Sequence, residues 1–386
     1  MSEFRTIREL CSVVVDCPHS TPKWTANGKI VIRNNNIKHG RIDFSSPSYT
    51  DDEHFAQRIK RAKPQPGDII ITREAPIGDV GMIPENTECC LGQRMVLLRA
   101  NQSVCDNFYL LYSLQSLYVQ HQISWSEGTG TTVSNLRIPH LEQIQIPYLP
   151  LEQQAKISSV LRALEEKIEN NRRLNDNLHQ QAAALFSSLY DRSNTEVRFT
   201  DLIQILGGGT PKTGENTYWN GNIAFFTPKD VGIPYTLITE KTISKEGLSH
   251  CNSRLYPVNT VFVTARGTVG KVGMSGVPMA MNQSCYALVG KETHQLLVYF
   301  YTLKTVDRLK HKASGAVFDA ITTRDFESEQ IMKLSDDDAK AFLCIAEPMF
   351  QKVLNNSTEN LRLSTLRDSL LPKLMSGEID VSAVQF

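Results

Sequence analysis

The sequence predicts an α+β chain: two β-rich globular modules separated by two long helices that form an antiparallel coiled coil, with a pseudo-two-fold internal repeat. Three observations predict this. The chain matches itself at a constant offset of 185 residues, the step from Gly130 to Gly315. Two stretches, from Ile157 to Leu189 and from Phe342 to Leu374, place their seam residues at alternating steps of four and three. The segments between carry short strand-like runs punctuated by glycine, proline and asparagine.

The chain has 386 residues, which fits two or three domains of roughly 150 residues each. Hydrophobic residues make up 41% and charged residues 21%, values of a globular protein and not of a disordered one. Lysine plus arginine total 41 and so do aspartate plus glutamate, which argues against coating nucleic acid through net charge alone and leaves local patches open. The eight cysteines include no C-x-x-C pair; Cys11 and Cys17 are six apart and Cys89 and Cys90 are adjacent. Neither spacing suits zinc, and no secretory context calls for disulfides. The opening residues Met1 to Arg5 lack a signal peptide's apolar core and no run is long enough for a membrane span, so the expectation is a cytoplasmic protein with no membrane partner.

The first module is expected over residues 1–150 and the second over 193–334, with the first helix over 151–192 and the second helix and tail over 335–386. The offset that joins Gly130 to Gly315 also carries Leu136 to Ile321, Leu141 to Phe326, Ile157 to Phe342, Leu164 to Met349, Ile168 to Val353 and Leu189 to Leu374. An ungapped match over about sixty residues marks a duplicated domain, and its period is too long for a solenoid. Upstream, with small gaps, Thr21-Pro22-Lys23 matches Thr210-Pro211-Lys212 and Gly92-Gln93-Arg94 matches Asn282-Gln283-Ser284. Ile70-Ile71-Thr72 before Gly78-Asp79-Val80-Gly81-Met82 matches Phe262-Val263-Thr264 before Gly270-Lys271-Val272-Gly273-Met274. Strands are expected at Asp68 to Thr72, Met95 to Leu98 and Thr260 to Thr264, and helices near Asn107 to Gln122 and His294 to His311.

In the long helices the seam runs Ile157, Leu161, Leu164, Ile168, Asn171, Asn175, Leu178, Ala182, Leu185, Leu189 in the first copy. The second reads Phe342, Ala346, Met349, Val353, Asn356, Asn360, Leu363, Arg367, Leu370, Leu374. Asparagine interrupts both at the same two layers. A buried asparagine costs stability but fixes register, because its amide needs a polar partner. Antiparallel pairing brings these layers together and puts the modules at opposite ends. Pro147 and Pro150 precede the first helix, Ser335 with Asp338 forms an N-cap pair, and Gly377 ends the second helix. About 35 residues at 1.5 Å each give a rod of roughly 50 Å.

Catalytic motifs are missing. There is no G-x-x-x-x-G-K-S/T phosphate loop, no H-E-x-x-H and no G-x-S-x-G elbow, and no Asn/Asp-Pro-Pro-aromatic tetrapeptide of amino-methyltransferases. Gly207-Gly208-Gly209 leads into Thr210-Pro211, which cannot open a helix as a dinucleotide-binding turn must. The chain is not expected to be an enzyme by itself.

Residues suited to nucleic acid are present in both modules. Arg33-Asn34-Asn35-Asn36 follows a strand; arginine bonds guanine edges and asparagine adenine edges, although asparagine runs also build turns. The matching place in the second module holds Thr227-Pro228-Lys229-Asp230. Arg58, Lys60, Arg61 and Lys63 form one basic cluster, and Lys304, Arg308, Lys310 and Lys312 another, either phosphate contacts or simply solvated faces. Arg73, Arg94 and Arg266 flank the best-matched strands, where a groove contact and a surface salt bridge are both open readings; Lys212 belongs to the repeated Thr-Pro-Lys. Gly128-Thr129-Gly130-Thr131-Thr132 offers backbone N–H groups and hydroxyls to a phosphate, or is a connector.

These features together resemble one family, the specificity (S) subunit of type I restriction–modification systems. Pro150-Leu151-Glu152-Gln153-Gln154, Lys167-Ile168 with Asn171, Gly209-Thr210-Pro211 and Tyr218-Trp219-Asn220-Gly221 carry the resemblance. So do Gly267-Thr268-Val269-Gly270 and the terminal Leu370-Leu371-Pro372-Lys373-Leu374-Met375-Ser376-Gly377. The resemblance implies two target-recognition domains, each reading one half of an interrupted double-stranded DNA site. It also implies that the paired helices dock two adenine-N6 methyltransferase subunits and that restriction/translocase subunits can join. S-adenosylmethionine, ATP and Mg then belong to those partners, with no cofactor in this chain. One departure is that the helix opening Leu149-Pro150-Leu151-Glu152 becomes Leu334-Ser335-Asp336-Asp337 in the second copy, so the motif implied for the second methyltransferase dock is degraded. The rival readings are a specificity subunit whose partner fuses methyltransferase and nuclease, and a coiled-coil scaffold without a nucleic-acid role. A hydrolase lacks the motifs it would need.

Overall fold

A computed structural model describes residues 3–38, 40–125, 135–312 and 320–381. The Gly128 to Thr132 loop and the glycines Gly130 and Gly315 lie outside these residues. The chain forms two compact units: Met1–Lys167 with Leu363–Phe386, and Ile168–Arg362.

In the first unit, β1 (Glu3–Thr6) leads through the single turn α1 (Ile7–Leu10) into β2 (Cys11–Asp16). Then come β3 (Lys29–Ile32), the short pair β4 (Ile37–Lys38) and β5 (Arg41–Ile42), β6 (Ser48–Thr50) and α2 (Asp52–Arg58). The strands β7 (Ile69–Arg73), β8 (Ile77–Met82), β9 (Cys89–Leu91) and β10 (Met95–Ala100) are followed by α3 (Asn107–Gln115), α4 (Leu117–Trp125) and α5 (Ile138–Gln143). The strand β11 (Gln145–Tyr148) pairs antiparallel with β1 and delivers the chain to α6 (Leu151–Asp191).

A four-stranded sheet in the order β2-β10-β7-β8 lies against a three-stranded one in the order β6-β3-β9. Both faces of the first are buried, and alternation along β7 shows how. Ile69 and Ile71 join a core with Tyr109, Leu110 and Leu114 of α3, while Ile70 points the other way to Ile32, Cys89 and Leu97.

The second unit repeats this order. It runs β12 (Thr195–Arg198), α7 (Phe199–Leu202), β13 (Ile203–Gly207), β14 (Trp219–Phe226), β15 (Tyr235–Thr236), β16 (Lys241–Ile243) and α8 (Lys245–Ser249). Then follow β17 (Val261–Thr264), β18 (Val272–Ser275), β19 (Met279–Met281), β20 (Cys285–Gly290), α9 (Gln295–Lys312), α10 (Thr323–Glu327), β21 (Gln330–Lys333) and α11 (Asp336–Ser376). The sheets β13-β20-β17-β18-β15 and β16-β14-β19 match those of the first unit with one added edge strand. Val261 and Val263 face the helical side and Phe262 the opposite side.

One helix differs from expectation. The helix expected over Asn107 to Gln122 is two, because Ser116 is extended (φ −65°, ψ 146°) and its hydroxyl donates to the Ser113 carbonyl at 2.6 Å. The corresponding α9 is unbroken.

The helices α6 and α11 are each 41 residues long and each contributes to both units. Within each unit they run antiparallel. In the first unit, Arg367 lies 3.5 Å from Glu165, and Ile157 and Leu161 share a core with Leu374 and Met375. In the second, Asn171 Nδ2 donates to Asn360 Oδ1 at 2.9 Å, and Asn356 Nδ2 to Asn175 Oδ1 at 2.8 Å. Asn171, Asn175 and Asn356 are buried, so each pair satisfies amides that would otherwise be stranded. Leu164, Leu178, Leu185, Met349, Leu363, Arg367 and Leu370 are only half-buried, because two helices alone cannot enclose a seam. Asp338 N–H donates to Ser335 Oγ at 3.1 Å, capping α11, and Gly377 (φ 74°) follows its last residue.

The altered helix opening has a structural counterpart. In the first unit Gln154 is fully buried and stitches three main-chain groups: it accepts from Asp106 N–H (2.9 Å) and donates to the Val104 (3.1 Å) and Leu149 (2.7 Å) carbonyls. The matching Ala339 reaches none of these and lines an open cavity of about 860 Å³ with Leu297, Leu334 and Leu343.

Candidate nucleic-acid interface

In each unit the loops that leave the strands meet at one end of the sheets. In the first, Asp16 lies opposite Val96, Thr72 opposite Met95, and Ile32 opposite Leu91, so the segments after β2, β3, β7 and β9 emerge together.

Buried polar side chains lock them. Arg58 is 6% exposed, and its guanidinium donates to the carbonyls of Leu91 (2.7 Å), Ser20 (2.8 Å), Pro18 (3.2 Å) and Gly92 (2.8 Å). Burial pulls its pKa below the ordinary value, yet an arginine so placed stays cationic. Arg73 is 9% exposed and donates to Leu136 O (2.9 Å), Asp16 Oδ2 (2.7 Å) and Asn135 Oδ1 (3.1 Å). Asn36 is buried; its Oδ1 accepts from Arg33 N–H at 2.9 Å and its Nδ2 donates to Asp43 O at 3.0 Å. Asn34 Nδ2 donates to Glu74 O at 2.7 Å, and Glu74 in turn holds Arg94 at 3.2 Å and Asn135 at 2.7 Å. Ala75 and Arg94 take left-handed φ values of 46° and 65°, and strain of this kind concentrates where loops are held for function.

The run Arg58, Lys60, Arg61 and Lys63, for which a phosphate contact and a solvated face were both open readings, is divided by these placements. Arg58 and Arg73 are turned inward because carbonyls and a carboxylate await them there, and Asn36 is a turn-closing residue. Arg33, Asn35, Lys60, Arg61, Lys63 and Arg94 are exposed. Lys63 pairs with Glu88 at 2.8 Å, and Arg61 reaches Asp16 O at 3.3 Å.

The second unit builds the same frame from equivalent bonds. Thr264 Oγ1 accepts from Lys271 N–H at 2.9 Å, as Thr72 Oγ1 does from Asp79 N–H at 2.9 Å. Ala265 N–H donates to Ser284 O at 2.8 Å, as Arg73 N–H does to Arg94 O at 2.8 Å. Thr210 donates to the Gln283 side chain, where Gln93 donates to Thr21. Thr268 Oγ1 ties to Pro228 O at 3.2 Å, the counterpart of Asn34 with Glu74. Gly78 (φ 82°) and Gly270 (φ 72°) turn their loops at matching places; a Cβ on Gly270 would lie 2.5 Å from Lys310 Cε, so that lysine's stem runs over the loop.

Thr227 closes its own turn, donating to Asp230 Oδ2 through N–H (2.8 Å) and hydroxyl (2.6 Å). Lys212, Lys229, Arg266 and Lys310 are exposed, Lys229 lying 3.7 Å from Glu240. Lys312 is exposed but pairs with the buried Glu329, which Arg308 also approaches at 3.6 Å. The second basic cluster is therefore divided, with Lys310 as the member beside the loops.

Two residues of the frame escape a reading of the sequence alone. Asn135 is one, tied to Arg73 from a distant segment. Trp24 is the other: it lies 46% exposed beneath the Arg33 guanidinium, 5.2 Å from carbon to ring centroid. A large aromatic residue directly after Lys23 was the available signal.

Burial pushes the thiols of Cys11, Cys89 and Cys285 up to about 12, away from nucleophilic use. Among the described residues no group of three His, Cys, Asp or Glu side chains is placed to hold a metal, and no helix is long and apolar enough to cross a membrane.

The model of the type I restriction modification DNA specificity domain matches residues 3–180 and again 192–333. The chain is 23% identical over 342 residues to the specificity subunit of the type I restriction enzyme MjaIX from Methanocaldococcus jannaschii, covering 82% of this chain and 78% of that protein. It is 29% identical over 186 residues to the specificity subunit of the type I restriction enzyme HindI from Haemophilus influenzae, covering 47% and 40%. The crystal structure of the type I restriction-modification S subunit from M. genitalium shares the fold, with a TM-score of 0.58 at 18% identity over 96% of this chain and 95% of that one. Two matched segments, one in each repeat, together take in most of the sequence: the chain belongs to the type I restriction–modification DNA specificity family.

Proposed function

We propose that this chain is the DNA-specificity subunit of a type I restriction–modification complex, in which each repeated module reads one half of an interrupted site. The observation that carries this is the pairing of a constant frame with variable tips. The two units hold their strand-end loops by equivalent hydrogen bonds, yet the exposed side chains differ: Arg33, Asn35, Lys60 and Arg94 in one, Lys212, Lys229, Arg266 and Lys310 in the other. A fixed scaffold with divergent polar tips suits two different base sequences, because phosphate contacts position a protein while base-edge contacts specify. A scaffold without a nucleic-acid role gives no reason for the divergence.

The partners are double-stranded DNA, two adenine-N6 methyltransferase subunits docked on the helices, and restriction/translocase subunits. The chain itself selects sequence; its partners supply S-adenosylmethionine, ATP, Mg and the chemistry, including the flipping of adenines. Co-expression with methyltransferase subunits and genome-wide mapping of methylated adenine tests the reading. The expected product is one split motif; a continuous motif, or none, overturns it.

Helix length acts as the ruler in this reading. Inserting one heptad into both α6 and α11 adds about 10 Å, or about three base pairs. The spacer is expected to change while both half-sites stay the same, and methylation at the original spacing sinks the ruler.

A further inference from the structure

The side chains of the Arg33 to Asn36 run divide sharply. Asn34 and Asn36 are committed to the loop, through Glu74 O at 2.7 Å and Asp43 O at 3.0 Å. Arg33 and Asn35 face solvent, and no carboxylate pairs with Arg33 among the described residues. Every other arginine on this face has an acceptor: Arg58 and Arg73 inside, Arg61 at Asp16 O, Arg94 at Glu74.

Arg33 has an aromatic platform instead. Its guanidinium carbon stands 5.2 Å from the centre of the Trp24 ring, and its Cγ passes Gly92, where a Cβ would come within 3.7 Å of it and 2.9 Å of Ile32 O. A guanidinium over an indole is steadied by cation–π attraction and is more weakly hydrated than an ammonium, while its in-plane N–H donors stay free. A steadied fork with open donors matches the O6 and N7 acceptors of guanine in the major groove. A phosphate contact needs no such platform, and flexible lysines such as Lys60 serve it.

Building on the specificity role proposed above, we propose that Arg33 reads a guanine in the half-site of the first module, with Trp24 as the residue that positions it. The second module cannot make this reading at the same place, because Thr227 is closed onto Asp230 at 2.6 Å.

The test uses the full chain in complex with its methyltransferase subunits, with methylated adenines mapped and relative methylation measured on duplexes varied one base at a time. R33K keeps the charge and loses the fork. It is expected to weaken the preference for guanine at one position of one half-site by about 5- to 150-fold, leaving the other half-site untouched. W24L is expected to erode the same position, and W24F, which restores an aromatic face, to keep it; a merely structural tryptophan would alter yield or stability without moving base preference. An unchanged motif in both R33K and R33A overturns the assignment. So does a loss uniform across all duplexes with a salt slope reduced by about one, the signature of a phosphate contact. A wild-type complex that methylates no split motif defeats the specificity role itself, a result separate from a split motif that ignores Arg33.

Discussion

Arg58 is a cation held by four main-chain carbonyls, with no carboxylate paired to it among the described residues. Its planar fork satisfies loops at residues 18–20 and 91–92 at once, a task an ammonium cannot copy. R58A strands these carbonyls and is expected to lower stability by about 3 kcal/mol in urea unfolding, with R58K recovering little. A loss within about 0.5 kcal/mol, normal for a surface position, would return Arg58 to the solvated cluster. His179 is a second residue whose surroundings decide its behaviour. Its Nε2 lies 2.9 Å from the Tyr299 hydroxyl among the rings of Phe300 and Phe350, and burial holds its pKa below 6.5 against the opposing pull of Asp176. The unfolded chain then binds the proton more readily. Stability from this group is full above the unfolded value and is lost as pH falls through the folded one. Between about pH 7 and pH 5, H179Q is expected to lose less melting temperature than wild type, and equal slopes would exclude His179 as the cause.

At the scale of elements, the paired helices show which parts of a fold can be read from a one-dimensional pattern. Steps of four and three placed Ile157, Leu161, Ile168, Phe342, Ala346 and Val353 on a buried seam, and all six are buried. The pattern omits Phe186 and Phe350, which lie off the seam yet are 1% and 2% exposed. Phe186 stacks on Phe300 at 5.1 Å and meets Phe342 edge-on at 5.5 Å, so a facing domain, not the partner helix alone, buries it. The asparagine pairs define a measurable coupling. N356A leaves the Asn175 acceptor without its donor and is expected to cost about 2 kcal/mol. N175A/N356A is expected to cost less than the sum of the single changes, by about 1 kcal/mol in a double-mutant cycle. Strict additivity would mean that the amides do not depend on one another.

At the scale of the whole molecule, the chain's last segment belongs to its first unit. Leu374, Met375 and Val381 are buried in the core that holds Ile7, Leu10 and Tyr109, and Ser113 Oγ contacts Met375 Sδ at 3.3 Å. Ending the chain at Arg362 should therefore loosen the unit that begins the sequence. Hydrogen exchange is expected to accelerate in α3 while α9 keeps its protection; faster exchange confined to α9 would contradict this assignment.

Duplication, strand positions, paired helices and the absence of catalytic motifs were all legible from the sequence, because each is a matter of spacing along the chain. The division of the polar residues was not. Arg33 and Arg58 are the same residue type in similar polar surroundings, yet one lies over an indole with no carboxylate paired to it among the described residues while the other is bonded to four carbonyls. Whether an arginine meets carbonyls, a carboxylate, an indole or open solvent depends on segments brought together from Asp16, Trp24, Leu91 and Asn135, and only the folded chain sets those distances.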